Sequence, residues 1–137
     1  MTKKDKEISS SNLRLLECVR TGLNPILTHS IPSEAVRLVK LAYVYQASDL
    51  ERYTLTQLVR SVGSIGANYV EGLARASPQD TLRFLRIARG SAYESCYHAL
   101  CLSGFLAPEL QDLSNTLDAY IDSYIVYITN SAIESAS

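Results

Sequence analysis

Apolar residues recur at spacings of three and four along most of this chain, a pattern that predicts helices rather than strands. The pattern predicts four main helices, over residues 34–47, 50–73, 78–106 and 109–133. A shorter stretch that ends before Gly22 also has one apolar face, formed by Leu13, Leu16 and Val19. Four helices with short connections favour an all-α, antiparallel up-down four-helix bundle, to which the short stretch adds an extra N-terminal helix.

Two serines mark predicted helix starts, because a serine hydroxyl accepts a hydrogen bond from a free N–H group of the first turn. Ser33, which follows Pro32, is expected to cap the helix over residues 34–47. Ser77 is expected to cap the next-but-one helix, which starts at Pro78. Proline suits that first helical position because the N–H it lacks would have no partner within the helix.

A length of 137 residues allows one domain with a core of its own, and an apolar content of 47% argues against a disordered chain. We expect the helical bundle to span residues 31–133. Residues 1–30 are expected to form a partly disordered N-terminal extension, and residues 134–137 a frayed tail.

Small residues are concentrated at positions of the second and third helices that the pattern predicts to be buried. They are Gly63, Ser64, Gly66, Ala67, Ala88, Gly90, Ser91 and Ala92. Small side chains let two helix backbones approach closely, so the stretch from Ser61 to Ser95 predicts a packing seam between these helices. The apolar faces are wide for a bundle of this size and the chain has nine tyrosines, which together predict a homo-oligomer.

Composition limits both location and chemistry. A net charge of −1 disfavours a protein that binds nucleic acid over its whole surface. The three cysteines, Cys18, Cys96 and Cys101, form no CxxC pair, so neither a disulfide framework nor a zinc site is expected. No apolar run is long enough for a signal peptide or a membrane span. We therefore expect a cytoplasmic protein with reduced thiols and no contact with membranes.

Two runs carry a family resemblance: LTQLVRSVGSIGANYVEGLAR at residues 55–75 and LRFLRIARGSAYE at residues 82–94. They resemble the bacterial four-helix-bundle proteins encoded in intervening sequences of 23S rRNA genes, and the resemblance covers about residues 30–130. The matching residues are Leu55, Thr56, Gln57, Arg60, Ser64, Ile65, Ala67, Asn68, Glu71, Gly72, Arg75, Phe84, Leu85, Ala88, Gly90, Ser91 and Glu94.

The resemblance extends to the accessory variability proteins of diversity-generating retroelements, which are homopentameric barrels that bind a reverse transcriptase and nucleic acid. It therefore implies a homo-oligomer, and specifically a pentameric barrel. Three departures from the family pattern stand out. Gly66 replaces the usual proline, Tyr69-Val70 replaces Ile-Ala, and about thirty residues are added at the N-terminus.

Four arginines are candidate contacts to nucleic acid or to a partner: Arg75, Arg83, Arg86 and Arg89. The last three recur every third residue and would form a phosphate-binding ridge. The alternative is that they serve the structure, through ion pairs with Glu71, Asp80 and Glu94. A structural polar network is also predicted, made of Arg60, Ser64, Asn68, Glu71 and Glu94.

Nothing in the sequence has the spacing of a catalytic or cofactor site. Glu94 and His98 lie four residues apart, but a di-iron bundle needs more such donors on other helices, so no metal or cofactor is expected. Tyr120, Tyr124 and Tyr127 are expected in the core or at a subunit interface. The leading hypothesis is a non-enzymatic, homo-oligomeric adaptor that binds a protein partner. The alternative is a nucleic-acid-binding accessory protein associated with a reverse transcriptase or with rRNA.

Overall fold

A computed structural model describes residues 29–136 of the chain. Within this range the protein has four α-helices and no strand, which confirms the predicted all-α four-helix bundle there. The helices are α1 (Ser30–Tyr43), α2 (Arg52–Leu73), α3 (Pro78–Cys101) and α4 (Ala107–Ala136). The predicted N-terminal helix and disordered start lie outside the described residues.

Helix α1 begins four residues earlier than predicted, so the proposed Ser33 cap is wrong. His29 is the N-cap residue and makes no side-chain cap bond, while Ser33 donates its backbone N–H to the His29 carbonyl oxygen at 3.2 Å. Pro32 lies inside the first turn, where the N–H it lacks would have no partner within the helix. The proline therefore does not mark the start of α1.

Helix α3 begins as predicted and ends early. The Ser77 hydroxyl accepts the Asp80 N–H at 3.3 Å, and Pro78 occupies the first turn. The predicted end at residue 106 is wrong, because the helix stops at Cys101 and a tight turn follows. In that turn Gly104 has a φ of 82° and its N–H bonds back to the carbonyl oxygen of Ala99. Ser103 before it also has a positive φ, 56°, so the chain leaves the helical conformation over Ser103 and Gly104.

Helix α2 packs most extensively against α3, and it also packs against α1. Helix α4 covers the other side of α3 and touches α1 only lightly. Two hydrogen-bonded pairs join α2 to α3, Ser61 with Ser95 and Ser64 with Ser91. The core between the helices consists mainly of leucine, isoleucine and alanine, with Tyr69 as its largest fully buried side chain.

A row of aromatic rings extends from the start of α1 along α4. His29 Nδ1 and the Tyr69 hydroxyl lie 2.6 Å apart, and the Tyr69 ring lies 5.4 Å from that of Tyr120. Tyr120 stacks near Tyr124, which in turn contacts Tyr127. Tyr69 is buried and Tyr127 is 64% exposed. The row therefore starts in the core and ends at the surface.

Candidate functional site

The seam between α2 and α3 is closed and its polar groups are paired. Ser95 donates to the Ser61 hydroxyl at 2.8 Å, and the hydroxyls of Ser64 and Ser91 lie 2.9 Å apart. Asn68 donates its side-chain amide to the Ser64 hydroxyl at 2.9 Å. Among the described residues, no buried side-chain nitrogen or oxygen lacks a hydrogen-bond partner. The seam therefore fixes how the helices pack and offers no free group to a ligand.

The small residues predicted to be buried in this seam differ in how far they are buried. Ala88, Ser91 and Ala92 are buried as expected. Gly63, Ala67 and Gly90 are exposed, which corrects the prediction for those three, because they lie on the outer faces of their helices. Gly66 packs against Ala35 and Pro32 of α1 instead of against α3.

The exposed small residues of α2 form the floor of an open apolar groove between α1 and α2. This α1/α2 groove has a volume of about 450 Å³. Its lining is Pro32, Ala35, Val36, Val39, Lys40, Tyr43, Gly63, Gly66, Ala67, Val70 and Glu71. Val36 is 43% exposed and Tyr43 69% exposed, so apolar surface faces solvent along the groove. Such contiguous apolar surface is typical of a docking site for another helix.

The outer face of α3 is a second exposed apolar surface. This α3 outer stripe consists of Tyr93, Tyr97 and Leu100. Tyr93 donates its hydroxyl to the Asp118 carboxylate of α4 at 2.9 Å. That bond raises the pKa of Tyr93, because the carboxylate favours the protonated phenol. Tyr97 and Leu100, each about two-thirds exposed, remain open to a neighbouring molecule.

A second hollow, between α1 and α4, is polar and held by its own charges. Arg37 donates two hydrogen bonds to the Glu34 carboxylate, at 2.9 and 2.6 Å. These bonds lower the pKa of Glu34, because they favour its ionised form. Glu109 and Asp112 complete the rim. The hollow is thus less suited than the groove to an apolar partner.

Two of the four candidate arginines are held within the protein. Arg75 pairs with Glu71, and Arg83 donates to the Asp80 carboxylate at 2.8 Å. The guanidinium carbons of both arginines lie over the Phe84 ring, at 4.6 and 4.5 Å from its centre. Arg75 and Arg83 therefore form a clamp on Phe84 near the turn between α2 and α3, and their charges are partly neutralised.

Arg86 and Arg89 have no ion-pair partner among the described residues. Arg86 is exposed on the same side of α3 as the α3 outer stripe, and Arg89 is half-buried close to Tyr93. Of the four candidate arginines, these two are therefore the ones whose guanidinium groups are available to an external anion.

Of the five residues of the predicted polar network, only Ser64 and Asn68 are joined to each other. Ser64 and Asn68 belong to the α2/α3 seam, and Glu71 pairs with Arg75. Glu94 lies 3.3 Å from His98, one turn further along α3. Arg60 is exposed and has no ion pair within residues 29–136.

Among residues 29–136, no three histidine, cysteine or acidic side chains come together as metal donors. None of the helices in that range combines the length and the apolar composition needed to cross a membrane. The exposed features of the described residues are therefore the α1/α2 groove, the α3 outer stripe and the arginines without an ion pair, Arg60, Arg86 and Arg89.

These features define a small, all-helical bundle with apolar side chains exposed on its surface. A family model, described as 23S rRNA-intervening sequence protein, matches residues 29–119, and the chain belongs to this family. No curated protein and no solved structure matches the chain. The match covers helices α1 to α3 and the first half of α4.

The α1/α2 groove is a candidate site that sequence reasoning missed. The signal was present, because α1 is apolar on more than one side and Gly63, Gly66 and Ala67 recur at helical spacing on α2. Those glycines were interpreted as seam residues because small side chains favour close packing. Spacing alone does not reveal which neighbouring helix, if any, fills the space that they leave.

Proposed function

We propose that this protein is a non-enzymatic, homo-oligomeric helical-bundle adaptor that binds a protein partner. The observation that carries the proposal is the open, apolar α1/α2 groove, in a domain whose core is already complete without it. Burying apolar side chains releases about 25 cal/mol per Å², so a partner helix laid into the groove would gain substantial binding energy. The proposal also keeps the cytoplasmic location expected from composition.

The order of contacts supports the antiparallel up-down arrangement that the adaptor proposal assumes. Between α2 and α3, Ser61 meets Ser95, while the later Ser64 meets the earlier Ser91. Between α3 and α4, the later residue Cys96 meets Ser114, and Tyr93 meets Asp118. In each pair of helices, residue numbers increase along one helix while those of the residues it contacts decrease along the other.

Self-assembly would use the α3 outer stripe, and the resemblance to accessory variability proteins suggests five subunits. Light scattering on the purified full chain should then give about five times the 15.1 kDa mass of one chain. Leu100→Glu should shift the mass toward one chain, because it places a charge in the apolar contact. Gln111→Glu, an exposed change on α4, is the matched control. A parental chain that is monomeric at micromolar concentration would exclude the oligomer.

Partner binding can be tested with a photo-crosslinking residue at Ala67, in the groove, in the native host cell. The control places the same residue at Ala119, which is also an exposed alanine in the middle of a helix but lies on α4. We expect a discrete adduct to a second kind of polypeptide from position 67 alone. Adducts of equal yield at both positions, or to nucleic acid only, would contradict the adaptor.

The alternative, a nucleic-acid-binding accessory protein, is favoured by one observation, the unpaired guanidinium groups of Arg86 and Arg89. If they contact phosphates, binding of a structured RNA should weaken steeply between low and high salt. The double change Arg86→Gln/Arg89→Gln should then reduce the affinity and flatten the salt dependence. Arg52→Gln, an exposed arginine near the start of α2, is the control. Tight, salt-sensitive binding that depends on Arg86 and Arg89 would replace the adaptor proposal.

A further inference from the structure

The two helices that border the α1/α2 groove run in opposite directions. His29, just before α1, contacts Tyr69 of α2, with 2.6 Å between Nδ1 and the hydroxyl oxygen. Further along α1, Ala35 lies beside the earlier Gly66, where an added Cβ atom would be 3.3 Å from the Ala35 Cβ atom. Residue numbers therefore increase along α1 while those of its neighbours decrease along α2. The end of α1 thus lies beside the first half of α2.

Two exposed cations lie at that end of the groove, one on each helix. Lys40 lines the groove on α1, five residues after Ala35. Arg60 comes six residues before Gly66, so it is at about the same level on α2. It also comes eleven residues, or about three turns, before the groove residue Glu71, which places both on the same side of α2. Lys40 and Arg60 therefore define a basic end of the groove.

Neither cation of the basic end has an ion-pair partner within residues 29–136. The other charged side chains near the groove are already engaged. Their pairs are Glu34 with Arg37, Asp49 with Arg52, Glu71 with Arg75, Glu94 with His98, and Glu51 with the Tyr45 hydroxyl. The basic end thus carries two positive charges that no carboxylate of the described residues contacts.

These two charges determine which apolar helix suits the groove. The floor and walls are apolar, with Val36, Val39 and Val70 among the lining, so the occupant needs one apolar side. From Arg60 to Glu71 the rim on α2 is about 17 Å long at 1.5 Å per residue, which corresponds to about three helical turns. A docked helix also removes water from the rim. Carboxylates on that helix would compensate Lys40 and Arg60, whereas lysines there would be repelled.

We propose that the α1/α2 groove binds an amphipathic helix of a different polypeptide, about three turns long, whose terminal turn places two carboxylates at the basic end. The inference rests on the proposed adaptor function and deepens it by naming the chemistry of the partner. Rim charges act chiefly on selectivity and on the rate of association. Selectivity between acidic and basic helices is therefore the property to measure.

The test uses two synthetic amphipathic peptides of about fourteen residues with the same leucine- and alanine-rich side. The acidic peptide has two glutamates flanking that side in one terminal turn, and the basic peptide has two lysines at the same positions. Each is labelled with a fluorophore and titrated with the purified full chain, and its anisotropy is measured. We expect the acidic peptide to bind about tenfold more tightly at low salt, and the difference to narrow at high salt.

Charge reversal in the protein tests whether the basic end causes this preference. Lys40→Glu and Arg60→Glu should each reduce the preference several-fold, and together they should reverse it in favour of the basic peptide. Arg86→Glu is the matched control, because Arg86 is also an exposed arginine without an ion pair in the described part of the chain but lies on α3. It should leave the preference unchanged. A reversal, unlike a loss, cannot result from unfolding or from different helix propensities of the peptides.

The location of binding is tested separately. Ala67→Glu should abolish binding of both peptides by placing a charge on the apolar floor, whereas Ala119→Glu, at an exposed position of α4, should have no effect. Equal affinity for the two peptides, or a preference that survives reversal of both cations, would overturn the proposal. Failure of the acidic peptide to bind the parental chain would overturn it too. That is the result expected if residues 1–28 or a second copy fill the groove.

Failure of this inference and failure of the adaptor are distinguishable. Crosslinking from Ala67 in cells tests whether any partner polypeptide occupies the groove. A discrete adduct whose yield is unchanged in Lys40→Glu/Arg60→Glu would refute the acidic helix and leave the adaptor standing. Selective binding of the acidic peptide without any cellular adduct would support the selectivity of the groove and refute the adaptor. If both proposals hold, the double change should lower the yield of the adduct several-fold.

Discussion

Helix α2 has small residues on two sides, and those on one side are buried while those on the other are exposed. Toward α3, Ser61 and Gly72 lie buried in a close-packed seam. Toward α1 and solvent, Gly63 and Ala67 lie exposed on the floor of the α1/α2 groove. The same residue types thus serve close packing on one side and leave space on the other.

The difference lies in what the neighbouring helix supplies. On the seam side, the Thr81 hydroxyl of α3 donates to the Gly72 carbonyl oxygen at 2.9 Å, and serine hydroxyls pair further along. On the groove side, a Cβ atom at Gly66 would contact Ala35 of α1, whereas one at Gly63 would have none of the described residues within 4 Å. A stripe of small residues therefore permits close packing, but the partner helix decides whether it occurs.

The largest expected effect is at the closed side, from Gly72→Ala. The added Cβ atom would lie 3.0 Å from the Phe84 Cβ atom and 3.2 Å from the Thr81 carbonyl oxygen. Relieving these contacts requires α2 and α3 to shift, which outweighs the better helix propensity of alanine. We expect a loss of about 1–3 kcal/mol in the free energy of unfolding, measured by urea denaturation at fixed protein concentration. Unchanged or increased stability would show that the α2/α3 seam accommodates a methyl group at position 72 without strain.

The matched change on the open side, Gly63→Ala, should have the opposite sign. Its Cβ atom would have no neighbour within 4 Å among residues 29–136, so the substitution removes backbone freedom from the unfolded chain without a clash there. We expect a gain in stability of up to about 1 kcal/mol in the same urea experiment. A loss as large as that of Gly72→Ala would mean that a tightly packed segment already fills the groove.

How far the sequence could predict this protein depends on whether the deciding interaction is local. The Ser77–Pro78 start of α3 was predicted correctly because cap and proline act within one turn. The Ser33 cap was wrong, since Pro32 is as compatible with the first turn of α1 as with a position before it. In both cases the helix itself was identified by its apolar periodicity.

The candidate site was harder to predict because its contacts lie between helices. Spacing placed four arginines in one candidate group. In the structure Arg83 pairs with Asp80 and lies over the Phe84 ring, whereas Arg86 has no such ion pair within residues 29–136. The groove depends on how α1 and α2 pack side by side, which no local pattern encodes. Side-chain spacing therefore located the apolar faces of the helices, placed Gly63, Ala67 and Gly90 wrongly in the interior, and left the partners of each face undetermined.

The smallest expected effect concerns His29, the N-cap residue of α1. Burial lowers the pKa of His29 below its ordinary value of 6.5, because the charged ring loses hydration at the start of α1. As the pH falls through 6.5, the unfolded chain therefore takes up the proton before the folded protein does. The contribution of neutral His29 to stability is complete above that pH and is lost progressively below it.

The urea concentration at the midpoint of unfolding should therefore decrease more between pH 8 and pH 5 in the parental chain than in His29→Gln. Glutamine keeps a polar side chain at this position but does not titrate. His98→Gln removes the other histidine of the chain and should leave the contribution of His29 in place. Equal pH dependence in the parental chain and in His29→Gln would show that His29 is hydrated. The start of α1 would then be accessible to water, as the α1/α2 groove is, despite the contact of His29 with Tyr69.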